Sequence, residues 1–319
     1  MDLFDNTPDR PQPNTEDLEF SKWSYSRRNK LERCARAYYF EYYGSRANTA
    51  EAEPLTEDLR KLKKLSSRHL LAGSILHLVI RKSLEDRRQG QKWTQQRMQE
   101  WARSLFEESI ELSRSYQEGD PVPDGYSGPS LLLEYYYDLD KAESLCQKAK
   151  ERLMTALKNF AKKPAIDRLK AGACQDGALI EKRMRHKVSG VTIDGTIDLG
   201  YPDWENGNRR IKIVDWKLGG ARNGDDSLQL LAYGLAAADH FNCDPEVLDL
   251  FRVRLTNGEV DSYSMTSEKA LRARCRVLQD VERMRMLHEH GRKAEKNAFP
   301  QCGHSRVCSL CKFQKYCPE

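Results

Sequence analysis

The sequence lacks any long apolar run, and this absence excludes one class of protein at the start. No stretch of the 319 residues approaches the roughly 20 consecutive apolar residues of a membrane-spanning helix. The N-terminus has neither the basic start nor the apolar core of a secretory signal peptide. We therefore expect a cytoplasmic protein without a membrane partner.

A second absence concerns nucleotide hydrolysis. The chain contains no Gly-x₄-Gly-Lys-Ser/Thr phosphate-binding loop, so we expect no NTPase motor within it. A strong net charge is also missing, because 53 Lys and Arg stand against 48 Asp and Glu, for a formal charge of +5. This balance permits a nucleic-acid partner without indicating one.

Cysteine, by contrast, is concentrated at one end of the chain. Four of the nine cysteines, Cys302, Cys308, Cys311 and Cys317, fall within the last eighteen residues. Thiolates separated by such short loops can hold one metal ion or cluster, and this density is unlike the spread of a secreted disulfide framework. Two kinds of site fit: a tetrahedral zinc site within the segment, aided by His304, or a centre whose fourth ligand comes from afar.

The chain is organised around a predicted β-hairpin. Its first strand, Val191 to Tyr201, carries Asp198, and its second, Arg210 to Lys217, carries Asp215 and ends in Lys217. A turn rich in Asp, Asn and Gly joins the strands, so the hairpin brings Asp198 near Asp215. Side chains alternate along a strand, and Asp215 therefore shares one face with Lys217.

Two carboxylates and an ammonium at one strand end have a chemical use. Hard divalent cations such as Mg²⁺ take carboxylate oxygens and keep positions open for water and a phosphate. A metal held there can lower the pKa of a bound water and neutralise charge that develops on a phosphodiester. Lys217 could orient or deprotonate that water, which favours hydrolysis of nucleic acid. The same three residues alone also fit a solvated strand end with a surface ion pair.

Two predicted helices earlier in the chain carry further candidates. The segment from Phe20 to Gly44 places Cys34 at helical spacing with its apolar neighbours, and a buried free thiol is the simplest interpretation of it. His77 lies on a second, largely apolar helix, one turn after Gly73, which should leave space beside the imidazole. A core histidine bonded to a backbone carbonyl is the alternative for His77.

A predicted strand, Leu179 to Val188, directly precedes the hairpin. Its alternation gives one face with an acid and a basic row, and one apolar face. The first face is Glu181, Arg183, Arg185 and Lys187, and the second is Ile180, Met184 and Val188. The first face suits a metal site that leads into a phosphate track, and an exposed charged strand face fits equally well.

The helix after the hairpin carries a polar pair. Asp225 or Asp226 caps it, and Gln229 and Tyr233 lie four residues apart on one face. Two more strands and a long basic helix then lead to the cysteine-rich end.

Taken in order, these residues resemble the PD-(D/E)XK nuclease superfamily. The set is Cys34, His77, Glu181, Asp198, Asp215-x-Lys217, Gln229-x₃-Tyr233 and Cys308-x₂-Cys311-x₅-Cys317. The chain looks most like the RecB-like iron–sulfur branch, with the AddB nuclease domain, the CRISPR-adaptation nucleases and exonuclease V. The resemblance covers about Trp23 to Cys317.

The resemblance implies a role for each position in the site. It implies metal ligation by His77, Asp198, Asp215 and the Trp216 carbonyl. It also implies that Lys217 acts at the hydrolytic water, that Glu181 supports the site, and that Gln229 and Tyr233 orient Lys217 or the DNA backbone.

The resemblance further implies a [4Fe–4S] cluster that joins the two ends of the chain. Its ligands would be Cys34, Cys308, Cys311 and Cys317. The surplus Cys302 keeps open a zinc site at Cys302, Cys308, Cys311 and Cys317. Two other departures from the family are Asp215, where many relatives have Glu, and Ala35, where a proline often follows the first cysteine.

The implied fold is α/β, a restriction-endonuclease-like mixed sheet flanked by helices, with a helical insertion and a C-terminal Fe–S cluster clasp. Residues 1–18 are expected to be an acidic disordered tail and residues 19–319 a single nuclease domain. The expected parts of that domain are an N-terminal cluster helix (19–44), a helical lobe that carries His77 (45–175), a catalytic core (176–266), and a C-terminal helix with the cluster segment (267–319).

The implied function is Mg²⁺- or Mn²⁺-dependent cleavage of DNA, as a single-strand-directed exonuclease or a flap- and end-processing enzyme. Such relatives commonly work beside a helicase or an integrase complex, in DNA repair, CRISPR adaptation or phage defence. The alternative is a non-catalytic, nucleic-acid-binding scaffold subunit of such a complex.

Overall fold

The computed structural model describes residues 22–46, 54–123, 128–137, 139–219, 226–293 and 295–317. The predicted acidic tail (1–18) and the candidate cap Asp225 lie outside these ranges. None of the helices within them combines the length and apolar character that crossing a bilayer requires.

A six-stranded mixed sheet forms the centre of the described part of the chain. Its strands are β1 (Lys22–Trp23), β2 (Leu179–Val188), β3 (Val191–Glu205), β4 (Asn208–Lys217), β5 (Leu248–Arg254) and β6 (Glu259–Ser264). Their order is β1-β3-β4-β5-β6, with β2 also paired to β3. The β1–β3 and β4–β5 pairs are parallel, and the other pairs are antiparallel. The prediction of an α/β fold with a mixed sheet is therefore confirmed.

Helices flank the sheet. They are α1 (Tyr25–Arg33), α2 (Ala35–Tyr39), α3 (Pro54–Lys63), α4 (Arg68–Arg88), α5 (Gln95–Ser115), α6 (Leu133–Tyr136), α7 (Ala142–Lys162), α8 (Pro164–Ala171), α9 (Asp226–His240), α10 (Ser267–Arg292) and α11 (Ser305–Cys308). A π-helical turn, Phe40–Gly44, continues α2.

Two apolar clusters lie on opposite sides of the sheet. Ile211 and Ile213 of β4 belong to the first, with residues of α1, α2, α9 and α10. Val214 and Trp216 belong to the second, with residues of α4, α5, α7 and α8. This is the alternation predicted for β4, and because α4 covers the second side, a residue of α4 can reach the end of the hairpin.

The turn of the central hairpin is shorter than expected. The strands continue to Glu205 and from Asn208, which leaves only Asn206 and Gly207 between them. Both have positive φ, 51° and 80°, as the two central residues of a type I′ turn require. An Asn-Gly pair adopts this turn with little strain, so it fixes the register of β3 on β4.

The alternation predicted for β2 is wrong at Glu181. This residue has a φ of 45°, in the left-handed region that non-glycine residues rarely adopt. Ile180 packs against the second cluster, whereas Met184 and Val188 belong to the first, so the three do not share a face. The backbone turn at Glu181 is what breaks the pattern.

The single helix predicted around Cys34 is also wrong. Cys34 is extended, with φ −165° and ψ 111°, and it separates α1 from α2. Ser24 caps α1, with its side chain accepting the Arg27 N–H. Just after the break, the Arg36 main-chain N–H donates to the Pro300 carbonyl at 3.1 Å, and Arg36 Nε donates to the Phe299 carbonyl at 2.8 Å. The N-terminal helices are thereby attached to the C-terminal segment.

The start of α4, the helix that carries His77, is anchored by two side chains. The Ser67 hydroxyl accepts the Leu70 N–H, and the carboxylate of the fully buried Glu134 accepts the Arg68 N–H. Arg68 Nη1 also lies 2.7 Å from Glu134 Oε1. Satisfying the free N–H groups of a first turn stabilises a helix by about 1 kcal/mol per cap, and here it fixes the start of α4 against α6.

Candidate metal centre

Three carboxylates occupy neighbouring strands at one level of the sheet. Leu199 of β3 pairs with Val214 of β4, which makes Asp198 and Asp215 the next facing positions of that ladder. The register of β2 on β3 places Glu181 opposite Asp198 in the same way. Glu181, Asp198 and Asp215 therefore follow one another across β2, β3 and β4.

His77 of α4 completes a compact group with two of these acids. Its Nδ1 lies 3.1 Å from Glu181 Oε1 and 3.5 Å from Asp198 Oδ1. One ligand atom from each of the three side chains lies within 4.8 Å of the others. An imidazole nitrogen and two carboxylate oxygens at this separation form a set that can hold a divalent cation. The left-handed backbone of Glu181 lies at this contact.

Asp198 is fixed by the neighbouring strand. The Trp216 main-chain N–H donates to Asp198 Oδ2 at 2.7 Å, while Asp198 Oδ1 faces His77. The indole of Trp216 is fully buried, with its ring centre 5.4 Å from that of Phe160 in an edge-on contact. Packing of this indole thus holds the peptide that orients the Asp198 carboxylate.

Asp215 lies outside the three-residue group and is held by two cations. Lys217 Nζ is 2.8 Å from Asp215 Oδ1, and Arg252 Nε is 3.5 Å from Asp215 Oδ2. Arg252 was not among the predicted site residues, although the sequence carries a signal for it. It is a charged residue between Phe251 and Val253 in the middle of β5.

Gln229 and Tyr233 of α9 reach the site through the tyrosine. Gln229 Nε2 donates to the Tyr233 hydroxyl at 3.3 Å. Burial raises the pKa of Tyr233, the Gln229 hydrogen bond lowers it, and the charge of Asp215 raises it, with a net increase. The ring lies against Gly195 of β3, where an added Cβ would be only 2.2 Å from Tyr233 Cε1.

We expect Gly195→Ala to displace this tyrosine and to destabilise the fold by about 1–3 kcal/mol, as overpacking of a filled site does. The matched control is Gly73→Ala in α4. An added Cβ there has nothing within 4 Å, and we expect about 0.5–1 kcal/mol of stabilisation from the better helix former. Urea unfolding followed by circular dichroism measures both changes. Equal stability of the two variants would contradict the packing described for Tyr233.

The position of Gly73 is open in the structure. No side-chain or backbone neighbour crowds this position, so the packing does not require a glycine to leave room for His77.

The charges in the site shift three pKa values upward. Burial lowers the pKa of His77, but the charge of Asp198 and the hydrogen bond to Glu181 outweigh burial and raise it to about 9. Burial raises the pKa of Asp198 to about 7, against the opposing charge of His77. Burial lowers the pKa of Lys217, but Asp215 and Asp198 raise it above its ordinary value. Without a metal, the site therefore retains protons at neutral pH, and Lys217 is an ammonium.

These shifts predict a metal affinity that rises with pH. His77 and Asp198 both have higher pKa values folded than unfolded, so between about pH 4 and 9 the metal-free folded chain binds more protons and loses stability as pH rises. A cation must displace those protons, so we expect Mn²⁺ affinity to increase by about tenfold or more per pH unit between pH 6 and 8. Isothermal titration calorimetry in two buffers of different ionisation enthalpy measures the affinity and the protons released. A flat profile without proton release would contradict this assignment.

The basic row of β2 is partly neutralised. Arg183 donates through Nε and Nη2 to the two oxygens of Asp194, at 2.8 and 2.5 Å, and Arg185 Nε lies 3.7 Å from the same carboxylate. Arg183, Arg185 and Lys187 are all exposed. The row lies on the surface next to Glu181, and Asp194 offsets part of the charge of its three cations.

The predicted cysteine ligands lie in one region of the molecule. Burial raises the pKa of Cys311 to about 11, and the Cys34, Cys317 and Cys308 thiols add to that increase. Cys34 acts on Cys317 in the same way, so the N-terminal cysteine is close to the C-terminal ones. Cys302 Sγ is 3.8 Å from Cys308 Sγ, but no three described cysteines have Sγ atoms within 4.8 Å of one another.

Comparison with known proteins gives a family match over nearly the whole chain. A family model for the PD-(D/E)XK nuclease superfamily matches residues 22–318. A solved structure described as "Crystal structure of SSO0001" is similar over 58% of this chain and 78% of that chain, at 15% identity and a TM-score of 0.30. A likeness this low carries no argument about function. No curated protein matches the chain.

Proposed function

Because the chain belongs to the PD-(D/E)XK nuclease superfamily, we propose that it is an Mg²⁺- or Mn²⁺-dependent deoxyribonuclease that hydrolyses phosphodiester bonds. The observation that carries this proposal is the convergence of the His77, Glu181 and Asp198 donor atoms within 4.8 Å, beside the Asp215–Lys217 pair. A structural ion-pair network does not need a histidine and three carboxylates at one strand end, since burying like charges together is costly.

The donor set fits a hard divalent cation. His77, Asp198 and Asp215, with the Trp216 carbonyl, would hold it, and the contact of Glu181 with His77 makes Glu181 a further candidate ligand. A bound cation would supply charge that activates a water and neutralises the phosphate in the transition state. The Trp216 N–H keeps Asp198 Oδ2 in place, so that Oδ1 is the oxygen presented to the cation.

Lys217 would act at the attacking water and the phosphate. Its raised pKa favours an ammonium that donates hydrogen bonds and offsets negative charge, rather than a base. Tyr233 accepts a hydrogen bond from Gln229 and interacts electrostatically with Lys217, so it would orient that ammonium toward the substrate. These are roles that we propose for the predicted residues.

We further propose that the substrate is DNA with single-stranded ends or flaps, cleaved as an exonuclease or end-processing enzyme. The exposed Arg183, Arg185 and Lys187 beside Glu181 offer a path for the phosphate backbone. Nucleases that this chain resembles commonly work beside a helicase or an integrase complex, and we propose such a complex as the partner that delivers the substrate. DNA repair, CRISPR adaptation and phage defence, all in the cytoplasm, are the proposed settings.

We also propose that Cys34, Cys308, Cys311 and Cys317 hold a [4Fe–4S] cluster. Four thiols from the two ends of the chain, with Cys34 acting on Cys311 and Cys317, support this assignment. The 3.8 Å between Cys302 and Cys308 favours the zinc alternative, because thiolates around one zinc ion are about 3.8 Å apart at Zn–S bonds of about 2.3 Å. No three described thiols lie within 4.8 Å of one another, which fits a cluster better than a single zinc ion with all its thiolates about 3.8 Å apart.

The test is cleavage by anaerobically purified protein of end-labelled DNA of several shapes, with Mg²⁺, Mn²⁺ or EDTA. Linear single strands, blunt duplex, 5′ and 3′ flaps and closed single-stranded circles form the set, with an RNA of the same sequence beside them. We expect the linear strands and flaps to be cut with either metal, and the circles to survive. Cleavage of the circles would show that the enzyme is an endonuclease rather than an exonuclease. No cleavage of any DNA, with the cluster intact, would favour the scaffold.

A further inference from the structure

The row of charged residues at the metal centre continues beyond Asp215. The register of β4 on β5 pairs Asp215 with Arg252, and that of β5 on β6 pairs Arg252 with Asp261. Directly opposed residues on adjacent strands have their Cβ atoms within about 5.5 Å on one face of the sheet. From β2 to β6 the row reads Glu181, Asp198, Asp215, Arg252, Asp261, with Arg252 as its only cation.

Arg252 is more deeply buried than the other cation at Asp215. Its side chain is 3% exposed, whereas that of Lys217 is 29% exposed. The two cations also meet different oxygens, with Lys217 at Oδ1 and Arg252 at Oδ2 of Asp215. Lys217 thus has room to turn toward a substrate, and Arg252 does not.

We infer that Arg252 is a positioning residue for the metal centre. It holds Oδ2 of Asp215 against β5, so that Oδ1 is the oxygen presented to the cation and to Lys217. This inference rests on the proposed metal-dependent function, because it assigns a purpose to Asp215 as a ligand.

The cost of burying a guanidinium supports a role beyond stability. Taking a charge out of water costs several kcal/mol, and a buried ion pair is often no more stable than apolar residues of the same size. Phe251 and Val253 on either side of Arg252 pack in the second cluster, so β5 is otherwise apolar there. Arg254, the next residue on the same face, already pairs with Asp261 at 2.6 Å. Asp215 is the acid that Arg252 faces in the sheet register and contacts through Nε.

Two effects of Arg252 on metal binding have opposite signs. Its positive charge repels a cation, whereas its hold on Oδ2 orients the ligand. Residues that orient metal ligands typically contribute about 10–100-fold to metal affinity. We expect orientation to dominate, because Lys217 already offsets the Asp215 charge and Arg252 lies on the side of the carboxylate away from Oδ1.

The experiment measures Mn²⁺ binding directly, by the loss of the free-ion electron paramagnetic resonance signal, without DNA. Arg252→Lys keeps the charge and loses the forked geometry, and Arg252→Met removes both. We expect both to weaken Mn²⁺ binding by about 10–100-fold. In the cleavage assay the Mn²⁺ concentration for half-maximal rate should rise by a similar factor, with a smaller change in the rate at saturating metal.

Arg28 supplies the matched control. It is also a buried arginine (9% exposed), and its Nε lies 3.6 Å from Asp280 on α10, far from β5 in the chain. Arg28→Lys and Arg28→Met should destabilise the chain in EDTA as much as the Arg252 variants do, but leave Mn²⁺ affinity unchanged. Unfolding in urea with EDTA separates loss of stability from loss of binding.

Three outcomes overturn the inference. Arg252→Met could bind Mn²⁺ more tightly while Arg252→Lys is unchanged, which would leave only charge repulsion. The Arg28 variants could lose affinity equally, which would make the effect one of general stability. The unaltered chain could bind no Mn²⁺, which would refute both the proposed metal site and the inference that rests on it. If the unaltered chain binds Mn²⁺ tightly but cleaves no DNA, only the nuclease proposal is refuted. The Mn²⁺ affinities of the Arg252 and Arg28 variants then still test the inference about Arg252.

Discussion

Lys217→Ala should lower the rate of DNA cleavage at saturating Mg²⁺ by about 10²–10⁴-fold. The ammonium is 2.8 Å from Asp215 Oδ1 and is the only partly exposed cation on that carboxylate among the described residues. Alanine removes both its charge and its three donors from the place where the phosphate gains negative charge. The fold should be preserved, because Arg252 still pairs with Asp215 and keeps that buried carboxylate from being stranded.

The matched control lies five residues earlier on the same strand. Lys212 points to the other face, where it lies 2.6 Å from Asp203 and 2.7 Å from Glu205. Lys212→Ala removes an equal charge and two ion pairs, yet it should leave the cleavage rate within about twofold, since Lys212 and its two partners lie away from the metal ligands and the attacking water.

Single-turnover cleavage of an end-labelled strand, with enzyme in excess, measures the rate without interference from product release. Mn²⁺ binding to Lys217→Ala should be as tight as in the unaltered chain or tighter, because a competing cation has left Asp215. Equal loss of activity in the Lys217 and Lys212 variants would indicate a general effect of charge on DNA binding. Full activity in Lys217→Ala would remove Lys217 from the chemistry.

The strands of the core were predictable because their signal is local. In β4, Ile211 and Ile213 alternate with Val214 and Trp216 about the sheet, and the Asn-Gly turn fixes the register of the hairpin. Once that register is set, Asp198 must approach Asp215. Periodicity of two and a turn of defined type require no knowledge of the rest of the molecule.

The breaks in that periodicity were not predictable in the same way. Glu181 has a left-handed backbone beside a tertiary contact with His77, which lies more than a hundred residues earlier in the chain. Cys34 is extended between two helices where the local sequence favours one, at a point where Arg36 bonds the C-terminal segment. In both places contacts from distant parts of the chain override local preference, which is expected at strained or functional positions.

In the candidate metal centre, too, local sequence predicted some residues and tertiary structure determined the others. The hairpin alone predicted the neighbourhood of Asp198, Asp215 and Lys217. Arg252 was missed because its relation to Asp215 depends on the parallel pairing of β4 with β5, and a parallel register is set by a crossover helix rather than by a turn. A charged residue between Phe251 and Val253 is the sequence signal that could have found it, since a charge buried in a sheet needs a partner.

Cys34→Ser should remove the proposed iron–sulfur cluster from anaerobically purified protein. A serine hydroxyl is a poor substitute for a thiolate, so both the iron content and the visible absorbance of the cluster should fall close to zero. The cluster would close a loop of nearly the whole chain. By the chain-entropy relation for cross-links, a closure of that length is worth about 6 kcal/mol, which we expect to be lost from the free energy of unfolding.

Cys302→Ser is the control that separates the two metal assignments. In a [4Fe–4S] site built from Cys34, Cys308, Cys311 and Cys317, this variant should keep its iron, its colour and its stability. In a zinc site confined to the C-terminal segment, Cys302→Ser should lose the metal and Cys34→Ser should retain it. Elemental analysis for iron and zinc on both variants therefore gives opposite patterns for the two sites, without reference to nuclease activity.

The structural consequence of losing Cys34 should be confined at first to the junction of the chain ends. Arg36 holds Phe299 and Pro300 by two hydrogen bonds, and Phe40 packs on Phe313 with ring centres 5.6 Å apart. These contacts remain in the cluster-free chain, but the cluster no longer links the two segments covalently. The main-chain amides of the junction should therefore exchange with deuterium much faster in Cys34→Ser. The amides of β3 and β4 should keep their protection, since the paired hairpin itself contains none of the cysteine ligands. Faster exchange spread equally over the sheet would mean that the chain ends and the metal centre unfold as one unit, and that the cluster stabilises the nuclease core directly.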